Sequence, residues 1–205
     1  MPRFMTRSVC FFVFLFTAGL AMAQTEFSAD IIQEGKEAKQ GPTKVYFGKD
    51  KMRFDPQDAK GKGAVIMNLN DDSFLVVMPA QHMYMVMPAQ TMENRGMFNF
   101  FKTGDVDNAC SDWLKLDENK GGSCHKVGGE SVNGRNTVKY EGTNAKGESS
   151  TVWLDSKLRF PVKWNGKNGG GEMRNIQEGS QPASLFEPPA GFTKMDMGAM
   201  MQRNK

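Results

Sequence analysis

The chain has few of the residues on which most enzyme and metal sites are built. Its 205 residues include only two histidines and three cysteines. It contains no Gly-x-Ser-x-Gly sequence, no His-Glu-x-x-His pair for zinc and no phosphate-binding glycine loop. A Cys-His site at Cys124 and His125 would lose its thiol to a disulfide. We therefore expect a protein that is not an enzyme, with no catalytic residue, no metal ligand set and no cofactor.

An excess of one charge is also missing. The chain has 26 basic and 23 acidic residues, a formal net charge of +3. Two of the basic residues belong to an N-terminal segment that we expect to be removed, which leaves the remainder close to neutral. Because no basic stripe is present, nucleic acid is not an expected partner.

Long apolar runs are absent except at the N-terminus. Two arginines precede an apolar run from Val9 to about Leu20, and Ala-Met-Ala ends at Ala23. This is the pattern of a secretory signal peptide, and the run is shorter than the ~20 residues that span a bilayer. An uncleaved anchor is the alternative. We expect a signal peptide over 1–23 and one domain over 24–205, periplasmic or secreted, soluble and without a transmembrane span.

Cysteine is scarce, and its count is informative. Cys10 lies in the apolar run, so Cys110 and Cys124 remain after cleavage. An even count in an exported chain predicts one disulfide between them. The alternative is a metal or redox pair, for which the Cys-x-x-Cys spacing is missing.

What the chain does contain is a series of short strand-like runs. Aromatic and β-branched residues alternate with polar ones between turns rich in Gly, Asn and Asp, which predicts a large antiparallel sheet. The runs are Phe27–Gly35, Thr43–Pro56 (divided at a Gly48–Asp50 turn), Ala64–Asn70, Ser73–Met78, Asn136–Gly142, Ser150–Asp155, Phe160–Gly166 and Gly171–Gly179. Helical spacing occurs over Thr91–Phe101 and over Val106–Leu116, with Asp105 as the expected N-cap of the second helix. We expect these helices to cover one face of the sheet.

The stretch VVMPAQHMYMVMPAQ, Val76 to Gln90, is rich in methionine. Proline tends to end a strand, so we predict a hairpin of Ser73–Met78 and Met83–Met87 around a Pro-Ala-Gln-His loop. Alternation then gives the hairpin two apolar faces, which argues against an edge with one side in water. One face holds Phe74, Val76, Met78, Met83, Met85 and Met87, and the other holds Leu75, Val77, Tyr84 and Val86.

The methionine-rich face has three interpretations. Thioethers are soft ligands for Cu(I). They also form adaptable linings for apolar ligands, and they fill gaps in ordinary cores. Periodicity does not separate a pocket from a core. The same spacing therefore leaves a copper site, a ligand pocket and a packed core open.

Five segments together resemble an exported bacterial domain family of unknown function related to the lipoprotein-carrier superfamily of LolA-like and LppX-like proteins. They are KVYFGKDKMRFD, FLVVMPAQHMYMVMP, CHKVGGESVNGRNTVKYEG, TVWLDSKLRFPVKW and LFEPPAGF. The resemblance implies a mainly β fold, an incomplete antiparallel β-barrel (half-barrel) of roughly ten or eleven strands, with short lid helices on the concave side.

The resemblance also implies a ligand. The superfamily holds acyl chains in the concavity, so we expect an apolar small molecule or lipid, such as a lipoprotein acyl chain, as partner, with an envelope protein as a further partner. The expected cavity residues are Phe74, Val76, Met78, Met83, Met85, Met87, Met97 and Phe101. The alternatives are a periplasmic copper-binding protein that uses the Met78–Met87 cluster and an interaction module without a ligand.

Overall fold

A computed structural model describes residues 25–35, 41–56, 63–88, 105–116, 119–167 and 169–195. The expected signal peptide and the expected helix over 91–101, which carries Met97 and Phe101, lie outside these ranges.

Within the described residues the chain forms one sheet of twelve strands. They are β1 (Phe27–Glu34), β2 (Thr43–Phe47), β3 (Lys51–Pro56), β4 (Val65–Asn68), β5 (Ser73–Met78), β6 (Met83–Pro88), β7 (Ser123–Val132), β8 (Arg135–Thr143), β9 (Ser149–Asp155), β10 (Phe160–Gly166), β11 (Gly169–Glu178) and β12 (Thr193–Lys194). Their order is β12-β6-β5-β4-β3-β2-β1-β11-β10-β9-β8-β7. The first strand therefore joins two meanders, β2 to β6 on one side and β7 to β11 on the other.

The mainly β fold is confirmed, and the open sheet is consistent with an incomplete barrel. Two details differ from the prediction. The sheet has twelve strands, because β7 was missed as a strand and β12 is an addition. Strand β12 pairs with β6 in parallel, through Thr193 opposite Met83 and Lys194 opposite Tyr84. All other pairings are antiparallel.

The core of the sheet is built on three rings in mutual contact, Phe27, Phe47 and Phe160, which we call the phenylalanine centre. Phe27 stacks on Phe47 with ring centroids 5.4 Å apart. Phe160 meets both rings edge-on, at 5.4 and 5.2 Å. All three side chains are fully buried. Offset and edge-to-face contacts add to the stability that burial alone provides, so this trio fixes the junction of the two meanders.

One α-helix is present among the described residues, α1 (Ala109–Trp113), and it is shorter than the predicted 106–116. Asp105 is not its N-cap. Asn108 precedes the helix, while the Asp105 carboxylate accepts a hydrogen bond from the Asp107 N–H at 2.9 Å. The carboxylate thus closes a turn in place of the first helical turn. No helix in the described part of the chain is long and apolar enough to cross a membrane.

The helix is fixed to the second meander by several contacts. The predicted disulfide between Cys110 and Cys124 is present and joins α1 to β7 across a Cα–Cα distance of 5.4 Å. Tyr140 donates a 2.8 Å hydrogen bond to the Val106 carbonyl in a buried cluster with Ala109 and Leu154.

Trp113 of the same helix lies against Gly142 of β8. A Cβ placed at Gly142 would come within 2.9 Å of the indole ring. The contact therefore requires glycine or a displaced tryptophan.

Candidate ligand-binding face

The predicted hairpin has the predicted register. Met78 lies opposite Met83, Val76 opposite Met85 and Phe74 opposite Met87. Pro79 begins a 3-10 turn that ends at Gln81. His82, at φ 50°, then closes the loop through its N–H, which donates to the Pro79 carbonyl at 3.1 Å.

The register extends this face across four more strands. Opposed residues form two continuous apolar rows, because cross-strand partners point to the same side of a sheet. The first row runs Phe27, Phe47, Met52, Met67, Phe74 and Met87, and the second runs Ala29, Val45, Phe54, Val65, Val76 and Met85. The hairpin face is thus an extension of the phenylalanine centre and not a separate surface.

Burial falls along both rows toward β6. In the first row Met52, Met67 and Phe74 are 0, 1 and 5% exposed. Val76 and the four methionines Met78, Met83, Met85 and Met87 are half-buried. We call these five residues the methionine face. Phe74, by contrast, packs within the main core.

The sequence prediction thus groups six residues correctly by side but does not separate Phe74 from the rest. The two other predicted cavity residues, Met97 and Phe101, lie outside the described part of the chain.

The opposite side of the hairpin differs from the prediction. Leu75 and Val77 are covered as expected, in a cluster with Phe186 from the C-terminal part of the chain. Val86, however, is 42% exposed. It lies at the end of β6 that the two-residue β12 does not reach. The hairpin is therefore next to the edge of the described sheet, and one side of β6 is partly exposed.

The methionine face carries no ionisable side chain. Along β3 to β6, the residues on this side are apolar at every position the register assigns to it. The nearest charged group on the short edge strand, Lys194, lies opposite Tyr84 and so points to the other side. The His82 ring contacts Phe192, with centroids 5.4 Å apart, outside the face. The face can therefore bind through apolar contact or through sulfur, but it offers no charge to a head group.

The side chains that the methionine face offers to a metal ion are thioethers. Among the described residues, no group of three or more His, Cys, Asp or Glu side chains is placed to hold an ion. Met78 and Met83 are directly opposed, and Met85 is two residues further on the same side. Opposed Cβ atoms lie about 4.5–5.5 Å apart, so two or three sulfur atoms can approach one soft ion.

A hollow in the second meander differs in character from the methionine face. It is lined by polar residues of the β8–β9 and β10–β11 turns, among them Glu148, Asn165 and Lys167. Lys167 donates a hydrogen bond to Glu148 at 2.6 Å. This bond, and to a smaller extent the one from Asn144, holds the pKa of Glu148 below its ordinary value. These groups satisfy one another, so we assign this hollow no ligand.

Sequence reasoning missed one arrangement in the second meander. Lys139, Trp153 and Lys163 are opposed on three neighbouring strands, and the two ammonium groups lie 5.4 and 5.2 Å from the indole ring. The Trp153 Nε1–H is buried and has no hydrogen-bond partner in the described structure. A buried N–H without a partner costs free energy, and the cation–π attraction between the ring and the two ammonium groups offsets part of that cost. The three residues lie on different strands, and neither their spacing along the chain nor the composition predicts that they meet.

Comparison with known proteins gives matches in structure only. No family model matches the chain, and no curated protein matches it in sequence. An uncharacterised conserved protein from Thermus thermophilus superposes with a TM-score of 0.53 at 9% identity, over 85% of this chain and 91% of that one. A chain of the MucA/MucB complex of Pseudomonas aeruginosa superposes with a TM-score of 0.50 at 13% identity, over 83% of this chain.

These matches show a shared fold. The chain spans only 58% of the length of the matched chain in the MucA/MucB complex. A LolA superfamily protein from Nitrosomonas europaea also matches, with a TM-score of 0.33 at 9% identity over 82% of this chain and 91% of that one.

Proposed function

We propose that this chain is an exported envelope protein that binds an apolar ligand, a lipid or the acyl chain of a lipoprotein, on the methionine face. The observation that carries the proposal is the burial gradient along the two apolar rows. Fully buried aromatic and aliphatic side chains give way to half-buried methionines on the same side of the sheet. An apolar surface that continues a core but is incompletely covered is suited to an apolar ligand.

The residue type supports the same function. Methionine is unbranched and polarizable, so it adapts to ligands of varied shape at little cost. The absence of an ionisable group from the face favours the acyl part of a ligand over its head group. Export is supported by the N-terminal sequence pattern and by the disulfide, which persists in oxidising compartments.

A pair of adjacent substitutions tests the proposal. Met85→Glu places a charge on the methionine face, whereas Val86→Glu places the same charge one residue along, on the exposed opposite side. We expect the parent protein and Val86→Glu to bind a fluorescent fatty acid and Met85→Glu to lose that binding. Circular dichroism controls for folding. No fatty-acid binding by the folded parent protein, or equal loss in both variants, contradicts the proposal.

Native mass spectrometry of protein purified from its own periplasm identifies the occupant. A co-purified lipid supports the proposal. A copper adduct favours the second candidate function, copper binding, for which the opposed Met78 and Met83 are the specific observation. Protein without any adduct, in a preparation that also fails to take up fatty acid, favours an interaction module.

A further inference from the structure

The sulfur atoms of the described chain fall into three groups. Cys110 and Cys124 are already joined in a disulfide. Met52, Met67 and Met173 are 0, 1 and 2% exposed. Met78, Met83, Met85 and Met87 are half-buried and share one side of one hairpin, and Met195 is half-buried next to that hairpin, where its N–H donates to the Tyr84 carbonyl at 2.7 Å.

This distribution places the half-buried methionines of the described chain at and beside one hairpin. Thioether oxidation depends on access, so buried methionines react only when the structure opens. The disulfide sulfurs have already lost the electrons that a thiol would supply. Among the methionines of the described residues, a two-electron oxidant therefore reaches those of the hairpin before the buried ones.

We propose that the methionine face is a reversible oxidation site for peroxides. In the reaction, the thioether sulfur attacks one peroxide oxygen, the O–O bond breaks, and a sulfur–oxygen bond forms. The sulfur is oxidised by two electrons, the peroxide is reduced, and water leaves when the oxidant is hydrogen peroxide. A thiol-dependent sulfoxide reductase, which returns the sulfoxide to the thioether, is the partner class that this chemistry requires.

Oxidation at this position has a structural effect. A sulfoxide is polar, and the methionine face adjoins Phe74 and Val65 across the sheet. Met78 and Met83 are opposed, so oxidation of both places two polar groups against each other on an apolar surface. We expect the β5–β6 hairpin to loosen while the phenylalanine centre stays closed. This inference concerns the chain itself and does not depend on a bound lipid.

The test is a timed treatment of the folded, unoxidised full chain with hydrogen peroxide, followed by peptide mapping. The four hairpin methionines should form sulfoxide at least about tenfold faster than Met52, Met67 and Met173. Hydrogen exchange at the β5–β6 amides should rise, and a sulfoxide reductase should reverse the rise. Equal oxidation rates in the two groups, selective oxidation without faster exchange, or exchange that the reductase does not reverse each overturn the proposal.

A methionine-to-leucine series provides the matched control. Met83→Leu with Met85→Leu keeps the apolar volume and removes two reactive sulfurs, so peroxide should raise exchange less in this variant than in the parent. The single change Met83→Leu serves the same purpose if the double variant does not fold. Fatty-acid binding of the unoxidised parent is measured separately. Its absence would reject the proposed function while leaving the oxidation result unaffected.

Discussion

The phenylalanine centre and the methionine face lie on the same side of one sheet and are connected by a single cross-strand row. Both follow the same period-two alternation. They differ in the side chains that fill it and in burial, since the rings are fully buried and the methionines are half-buried. Aromatic rings with few rotatable bonds define one arrangement, whereas thioether chains accept several. One row thus passes from a rigid junction to an adaptable surface.

The largest expected effect comes from the rigid end. Phe47→Ala removes a fully buried ring that contacts two others, so we expect the free energy of unfolding to fall by about 3–5 kcal/mol. Urea denaturation measures it, with Val86→Ala as a surface control that should change stability by less than about 0.5 kcal/mol. A comparable loss from Met85→Ala would erase the distinction between the two regions.

The disulfide gives the next largest effect and acts at the far end of the second meander. Its sequence separation is 14 residues. Replacing both cysteines by serine should lower stability by about 3 kcal/mol in the chain-entropy model. Hydrogen exchange should rise around α1 and β7 and stay unchanged in the methionine hairpin. Faster exchange in β5 and β6 would show that the two ends of the sheet are coupled.

Met85→Trp separates an open surface from a packed one. If the face is incompletely covered, the indole ring fits with a loss of stability below about 1 kcal/mol, whereas overpacking a filled core costs about 1–3 kcal/mol. We expect the smaller loss, together with reduced fatty-acid binding. Thermal unfolding and a fluorescent fatty acid measure the two quantities. Strong destabilisation, with no fatty-acid binding by the parent, would place Met85 in the core.

A smaller effect of pH is expected at the rim of the phenylalanine centre. Glu178 lies opposite Phe27, and hydrogen bonds from Lys157 and then Arg135 hold its pKa below the ordinary value of 4.5. The folded state therefore binds fewer protons than the unfolded state. The stabilisation of the fold by ionised Glu178 is therefore present above about pH 4.5, and it is lost as the pH falls through the pKa of Glu178 in the folded state.

The matching variant is Glu178→Gln. At pH 7 it should lower the free energy of unfolding by about 0.2–1 kcal/mol, as for partly exposed ion pairs. The difference between the variant and the parent should shrink at pH 3. A difference that is the same at both pH values would assign the effect to packing instead.

The smallest expected effect concerns copper. Met83→Leu with Met85→Leu keeps volume and removes two thioethers, and we expect Cu(I) affinity in a competition titration to change little. A stoichiometric, tight site that disappears in this double variant would make the methionine face a metal site and would favour the copper-binding function.

Local patterns made much of the first meander predictable. The hairpin register followed from two prolines and a four-residue loop, and the β2–β3 turn followed from Gly48 to Asp50. The disulfide followed from an even cysteine count. For the hairpin and the turn a few neighbouring residues decide the geometry, whereas for the disulfide, outside this meander, the number of cysteines leaves one pairing.

The missed elements depend on distant residues or lack a pattern. β7 contains Gly128 and Gly129 and has a register shift there, so it shows no clean alternation. β12 is two residues long, and its pairing with β6 joins residues about a hundred positions apart. The burial gradient that distinguishes Phe74 from Met87 arises from the packing of several strands, which period-two spacing does not encode.

In the described part of the chain β7 pairs only with β8 and so forms an edge of the sheet. This edge is poorly suited to pairing with a strand of a second copy. The bulge between Lys126 and Gly128 interrupts the flat ladder that a second copy would extend. Lys126 and Glu130 put charges of both signs along the same strand. A kinked, charged edge resists the edge-to-edge contact that begins fibril formation. Edge-to-edge contact between folded copies should therefore not begin at β7.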